Sequence, residues 1–243
     1  ERSRRAIAAA ESAGAVVVFC TARPPLRLKA LAEATDHRGV AVCANGAVVY
    51  DLHTESVLEA TTLEPATALE LVDLLRAEMP GGAWAVEHAA GFGHEPNYVP
   101  RWPVPDDTRV AAIEALVEQP ALKLMLRHSD LSADELLKRA REVCGDLAEF
   151  SHSNAADTLL EISAAGVSKA TALARLCDER GIDRRDVIAF GDMPNDLPML
   201  AWAGHGVAVA NAHPEVIAAA DEVTASNDDG GVARVLERVF DVG

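Results

Sequence analysis

The 243-residue sequence sets 22 Lys and Arg against 38 Asp and Glu, a formal charge of −16. That balance argues against nucleic-acid binding, which needs basic clusters to neutralise phosphates. The length fits one large or two modest domains, the hydrophobic fraction of 49% is ample for a core, and no apolar run approaches the roughly eighteen residues of a membrane span.

Ser3–Ala13 is patterned as an amphipathic helix closed by Gly14. The chain opens at Glu1 with no signal-peptide pattern and runs straight into this helix, so it reads as cut from something longer. Ala15–Cys20 (AVVVFC) predicts a buried strand that delivers Thr21-Ala22-Arg23. Pro24 then suits the first turn of a helix continuing through Arg27, Leu28, Leu31 and Ala32. Val40–Cys43 predicts another short strand, followed by Asn45-Gly46 and a hairpin-like pair, Ala47–Tyr50 and Ser56–Ala60. Helix and buried strand in alternation argue for an α/β fold with a doubly wound parallel sheet.

The pattern changes near residue 63. Pro65–Met79 predicts an amphipathic helix with Leu69, Val72 and Leu75–Arg76 in its stripe, and Ala83–Glu87 a strand. Ala89–Asp107, rich in Gly and Pro, reads as a long loop of the kind that often forms a lid. Arg109–Glu118 reads as a helix and Ala121–Arg127 (ALKLMLR) as a half-exposed strand. Ser132–Cys144 is helical, with Glu135 three residues after a capping serine. Leu147–His152 and Thr158–Ile162 read as strands. Residues 63–162 are therefore expected to form an α+β unit with an antiparallel sheet, inserted between 1–62 and 163–243 of the parallel domain.

The parallel pattern then returns. Ser168–Arg180 predicts a helix with Ala170, Leu173, Ala174 and Cys177 on one face, closed by Gly181. Val187–Phe190 predicts a strand buried on both faces, and Gly206–Ala210 a strand leading to Asn211. Pro214–Ala220 is expected to be a helix, Val223 a short strand, and Asp229–Phe240 the last helix, with Val232, Val235, Leu236 and Val239 inward. The four cysteines, Cys20, Cys43, Cys144 and Cys177, occur singly and read as small core residues in a reducing compartment, hence cytoplasmic. The eight histidines show no metal-ligand spacing; His88 and His94 read as surface or substrate-lining residues.

Three predicted strand ends carry polar groups: Thr21 with Arg23, Asn45, and Asp192 with Asn195 and Asp196 in VIAFGDMPNDLPML. Ligands of open α/β sheets bind at such carboxyl ends. Two acids and an amide there suit a hard divalent cation such as Mg²⁺, which takes oxygen ligands and shares them with phosphate. The alternative is that Asp192 or Asn195 caps the helix and Asp196 complements its dipole. Lys169, in the first turn of its helix, opposes that helix's dipole, a broken local rule of the kind expected at functional sites. Metal, ammonium and hydroxyl together are the parts of phosphoryl transfer. No acid pair following an apolar strand supplies a nucleophile.

The set resembles the haloacid dehalogenase superfamily, and within it the Cof-type phosphatases. CTARP resembles the second motif, NGAVVYD the family hairpin, EISAAGVSKATAL the lysine motif and GDMPNDLPML the acidic motif. VAVANAHPEVIAAADEVTASNDDGGVARVL resembles the C-terminal run. Ala22 stands where Gly is usual. The resemblance implies a Rossmann-like core with an inserted α+β cap, cofactor Mg²⁺, and a small phosphomonoester as substrate, a sugar phosphate or similar metabolite, hydrolysed through an aspartyl-phosphate. Thr21 would hydrogen-bond the phosphoryl group and Lys169 would hold it. Asp192 would ligate the metal with Asn195 and Asp196. Arg23, Asn45 and Asn211 would lie nearby. In the cap, His88, His94, Tyr98, Arg101 and Trp102 are candidates for substrate contact. The family's first motif, DxDGT, has no counterpart here and is expected on a strand upstream of Ser3. A non-catalytic phospholigand-binding protein and a phosphotransferase or mutase on the same core are the other readings.

Overall fold

A computed structural model describes residues 1–28, 32–33, 35, 38–89, 91–154 and 157–241. The chain divides into two compact units, Glu1–Glu59 with Ser168–Gly243, and Ala60–Val167.

In the first unit, strand β1 (Val18–Cys20) pairs in parallel with β2 (Val40–Cys43), which forms an antiparallel hairpin with β3 (Val48–Asp51), and β4 (Ser56–Ala60) follows outside it. β11 (Ile188–Gly191), β12 (His205–Ala208) and β13 (Glu222–Val223) form a second, all-parallel sheet. β1 and β11 are thus end strands of their sheets. They are also only half-buried for the most part, whereas β2 is buried throughout. The burial on both faces expected of 187–190 is therefore not met: Ala189 alone of β11 is fully buried. β1 is shorter than expected, with Val16 exposed before it. The helix expected to follow Pro24 begins as a short 3₁₀ turn, Pro25–Arg27, and Leu31 lies outside the described residues.

Helix α5 (Lys169–Arg180) joins the two sheets. Ala172 and Leu176 pack with Val40, Val42 and Val49, while Ala170, Leu173 and Cys177 pack with Ala189, Leu200 and Val216. Val18 and Cys20 of β1 lie against both clusters. Ala174, expected on the inner face, is half-buried, and Ala172 and Leu176 take that role. The first helix, α1 (Arg2–Ser12), pairs Arg2 with Glu237 of the last, α8 (Gly231–Phe240). α8 buries Ala233 and Val235 and leaves Val239 exposed, although the expected stripe placed Val239 inward.

In the second unit the strand order is β7-β6-β5-β8-β10-β9. β5 (Ala83–His88), β8 (Lys123–Arg127), β10 (Leu159–Ala164) and β9 (Ala148–Ser151) are antiparallel neighbours. Helices α2 (Pro65–Glu78) and α4 (Ala133–Cys144) cover one face. α2 buries Ala68, Leu71, Val72 and Leu75, with Leu69 outside the stripe. Three expectations are corrected. The 89–107 loop contains strand β6 (Gly91–His94), and the 109–118 helix is strand β7 (Arg109–Val110) followed by only one helical turn, α3 (Ile113–Leu116). β8 is wholly buried, not half-exposed, because its charges are matched. Lys123 meets Glu161 at 2.6 Å and Glu87 at 3.4 Å, and Arg127 pairs with Asp157.

Glu95 pins this unit. Its carboxylate, nearly buried, accepts from Arg76 Nη2 at 2.7 Å and from the Trp84 N–H at 3.1 Å. Glu95→Ala is expected to destabilise the unit by about 2 kcal/mol, because the buried Trp84 N–H loses its acceptor and the part-exposed Arg76 guanidinium keeps only Glu114. Urea unfolding followed by tryptophan fluorescence measures it.

Candidate active site

Each polar residue singled out in the first unit leaves its strand through a different turn. Thr21 follows β1; its N–H donates to Val42 O at 2.8 Å and its carbonyl accepts from the Asn45 N–H at 3.1 Å. The Thr21 hydroxyl oxygen accepts from the Arg23 N–H at 3.1 Å, while the Arg23 side chain is exposed. Asn45 sits in the left-handed region, φ 58°, ψ 22°, which Asn tolerates better than other side-chain-bearing residues. Its Oδ1 accepts from Asn195 Nδ2 at 3.0 Å.

Gly46 follows at φ +108°, and a Cβ there would lie 2.2 Å from the Ser168 carbonyl oxygen. Glycine is thus needed twice, for the backbone conformation and for the approach of α5. Gly46→Ala is expected to cost about 2 kcal/mol or more, read as a fall in melting temperature, since neither the turn nor the helix end is a flexible side chain that could move aside.

Ser168 caps α5 in a reciprocal capping box with Thr171. The next residue, Lys169, is 5% exposed and its Nζ donates to Asp196 Oδ1 at 2.6 Å. The cation at the positive end of a helix is therefore held by a buried carboxylate. Asp196 Oδ2 accepts from the N–H groups of Asp192 and Met193, at 3.0 and 3.1 Å. This wraps the loop around Asp196 so closely that a Cβ on Gly191 would fall 2.6 Å from its own. Both Asp196 oxygens are therefore committed to protein donors, and its role here is to hold Lys169 and the 192–193 loop.

Asp192 is exposed, with its carbonyl accepting from the His213 N–H at 2.8 Å. Protein packed about its carboxyl, then the Asp196 charge, raise that carboxyl above the ordinary aspartate value, with Lys169 opposing. Asn195 is buried, and its Oδ1 has no hydrogen-bond donor among the described residues. Cys20, immediately before Thr21, has its thiol pushed up to about 12 by burial, so it is inert.

Thr21, Asn45, Asn195, Asp196, Lys169 and Asp192 are thus linked by hydrogen bonds or by adjacency in one loop. Among the described residues Arg23 joins through its backbone. Asn211 lies apart from this chain of contacts, accepting from the Asn227 N–H at 3.0 Å. Ser168 and His213, which the sequence reading did not single out, enter as a helix cap and a backbone donor; the Ser-x-x-Thr spacing was the visible signal for the first.

The second-unit candidates are occupied in that unit's own packing. The ring nitrogens of His88 lie 2.9 Å from the Pro120 and Leu116 carbonyls. His94 meets the Glu95 carbonyl at 2.7 Å, and Tyr98 is buried. Trp102 packs on Phe92, and Arg101 pairs with Asp157 at 3.1 Å.

The donors suit a hard cation: Asp192 offers a carboxylate with no protein cation hydrogen-bonded to it among the described residues, and Asn195 Oδ1, three residues on in the same loop, is an acceptor with no donor among them. Among the described residues no group of three or more His, Cys, Asp or Glu side chains converges, which excludes a ready-made thiolate or imidazole cage. No helix among them is long and apolar enough to cross a membrane.

An α/β core that gathers a hydroxyl, an ammonium, an amide and a carboxylate at its strand ends is that of a phosphoryl-handling hydrolase. The family profile of the haloacid dehalogenase-like hydrolases matches residues 1–236. Over 247 residues the chain is 30% identical to the pyridoxal phosphate phosphatase YbhA of Escherichia coli, covering 96% of this chain and 89% of that one. It is 28% identical over 236 residues to the 5-amino-6-(5-phospho-D-ribitylamino)uracil phosphatase YcsE of Bacillus subtilis, covering 97% and 86%. A solved phosphatase of this superfamily from Bacteroides thetaiotaomicron matches the whole chain and 88% of its own with a TM-score of 0.80 at 24% identity, a likeness of fold. The chain belongs to the haloacid dehalogenase-like hydrolases, and it is a phosphatase of the Cof type.

Proposed function

We propose that the protein hydrolyses a small phosphomonoester with Mg²⁺, the phosphoryl group being held by Thr21 and Lys169. The observation that carries this is the buried Lys169–Asp196 pair beside Asp192, because it places a fixed ammonium and an exposed carboxylate at one strand end. Thr21 Oγ1 already accepts from the Arg23 N–H, which leaves its O–H to donate to a phosphoryl oxygen. Lys169 Nζ spends one of three donors on Asp196 and can direct the others at the same group. Arg23, exposed beside Thr21, adds charge for an incoming anion. Asp192 and Asn195 would hold the Mg²⁺, which when bound neutralises phosphoryl charge.

The family chemistry passes through an aspartyl-phosphate, and we place its nucleophile on a strand between β1 and β11. Two features support that: both are end strands, and both are half-buried while their side chains share one core cluster. Ala60–Val167 would be the cap. The substrate is read as a small phosphorylated metabolite, a class that includes sugar phosphates and the phosphorylated heterocycles named for the relatives.

The test is phosphate release from a panel of sugar phosphates, pyridoxal phosphate and nucleotides, with and without Mg²⁺, using protein whose intact mass and N-terminus have been determined. Turnover that needs Mg²⁺ and an aspartate in the segment preceding Ser3 supports the reading. Turnover unaffected by chelator overturns the metal assignment.

A further inference from the structure

We propose that Asn45 acts as a positioning residue that sets the orientation of the Asn195 amide, and does not itself touch the phosphoryl group. The inference rests on the site reading above, in which Thr21 and Lys169 hold the phosphoryl group and Asn195 faces the Mg²⁺.

The turn Ala44-Asn45-Gly46 touches two strand ends and the start of a helix at once. Its backbone holds the Thr21 loop, through the Asn45 N–H on the Thr21 carbonyl and the Ala44 N–H on the Arg23 carbonyl at 2.9 Å. Gly46 lies against the Ser168 carbonyl, at the start of the helix that carries Lys169. The Asn45 side chain crosses to Asn195, 150 residues away in sequence. A turn needs only its backbone conformation, and glycine would provide that without strain. Asn45 instead keeps an amide there, 4% exposed and pointed at another amide. With its Oδ1 accepting from Asn195 Nδ2, Asn45 is not placed as an open acceptor for a substrate.

The consequence falls on Asn195. An amide can present its oxygen or its nitrogen to a given side, and the two differ in shape too little for packing to choose. By taking the Nδ2 group, Asn45 fixes the other end, so Oδ1 is the atom presented. That oxygen is the buried acceptor with no donor among the described residues. Buried acceptors are rarely left so unless a ligand, ion or water completes them. Asn45 thus makes Asn195 an acceptor toward the site, and holds that choice against the amide rotation that would present a donor.

The test uses Asn45→Gly, which keeps the left-handed turn and both backbone hydrogen bonds and removes only the side chain. With p-nitrophenyl phosphate and Mg²⁺, kcat is expected to fall about 10- to 100-fold and KM to stay within about threefold, the pattern of lost alignment. Asn195→Ala should fall at least as far. The double variant Asn45→Gly/Asn195→Ala should be no slower than Asn195→Ala alone, because Asn45 acts through that residue. Asn45→Asp keeps an oxygen that accepts from Asn195 Nδ2 and should retain more of kcat than Asn45→Gly, which keeps the proposal testable if Asn45→Gly proves poorly folded by circular dichroism.

Losses that multiply in the double variant, or an Asn45→Gly enzyme with unchanged kcat, overturn the proposal. Thr21→Ala and Lys169→Met separate this from failure of the site reading. If they retain kcat, the site itself is elsewhere; if they lose it while Asn45→Gly does not, only the positioning role falls.

Discussion

Asp196→Ala is expected to be the most damaging single change in the first unit, for stability and for turnover together. Asp196 and Lys169 are 3% and 5% exposed, so the pair is out of water. Removing one member of a buried pair leaves the other charged without compensation, at about 3–5 kcal/mol. Here the loss is compounded, because Asp196 Oδ2 also holds the N–H groups of Asp192 and Met193, each worth about 1 kcal/mol. The carboxylate is therefore the common anchor of the ammonium and of the loop bearing Asp192. Lys169→Met should be milder in stability, since Oδ2 keeps its two donors, but should lose kcat by at least about 100-fold through loss of the ammonium. Asp196→Asn combined with Lys169→Met should recover part of the stability lost in either single variant, as a neutral pair replaces an unmatched charge. Denaturant unfolding of the four proteins decides this. A double variant as unstable as the sum of its parts would show that the two charges do not depend on each other.

Local rules carried much of this into the sequence. Lys169 was visible because a lysine in a first helical turn opposes the dipole, and the structure shows the compensation, a buried carboxylate 2.6 Å away. The Asn-Gly step was visible as a turn, but its bond to Asn195 was not, because nothing local announces a partner 150 residues off. Asp192 and Asp196 look alike in the sequence, and it is the backbone wrapped around Asp196 that sets this buried anchor apart from the exposed acid. In the second unit, alternation of charge and apolar residue in Lys123–Arg127 suggested exposure. It reflects charges matched inside the protein by Glu161, Glu87 and Asp157, which lie on other strands and loops. Strand β6 was hidden by Gly91 and Gly93, which weaken a strand pattern, and β7 by its length of two residues next to a helical turn.

Asp192→Asn is expected to abolish most turnover and, at neutral pH without metal, to make the protein more stable. The carboxyl is raised above the ordinary aspartate value, chiefly by desolvation and then by the Asp196 charge. The folded protein therefore holds that proton more tightly than the unfolded chain does. As pH rises from the unfolded value to the raised folded one, the native state is the more protonated, so stability falls through that window and stays lower above it. The ionised Asp192 at neutral pH is thus a native-state cost, and asparagine removes the charge while keeping one oxygen in place. A bound divalent cation would relieve the same cost by pairing with it. Millimolar Mg²⁺ should accordingly raise the melting temperature of the parent protein and leave that of Asp192→Asn unmoved, while kcat with Mg²⁺ falls by about 100-fold or more. The acid side gives a further check: the stability advantage of the variant should shrink as pH drops toward the ordinary aspartate range, where the parent's carboxyl is neutral too. A variant that melts lower than its parent at neutral pH would mean that Asp192 is held by favourable contacts in the folded protein. A parent indifferent to Mg²⁺ would remove Asp192 from the metal's ligands.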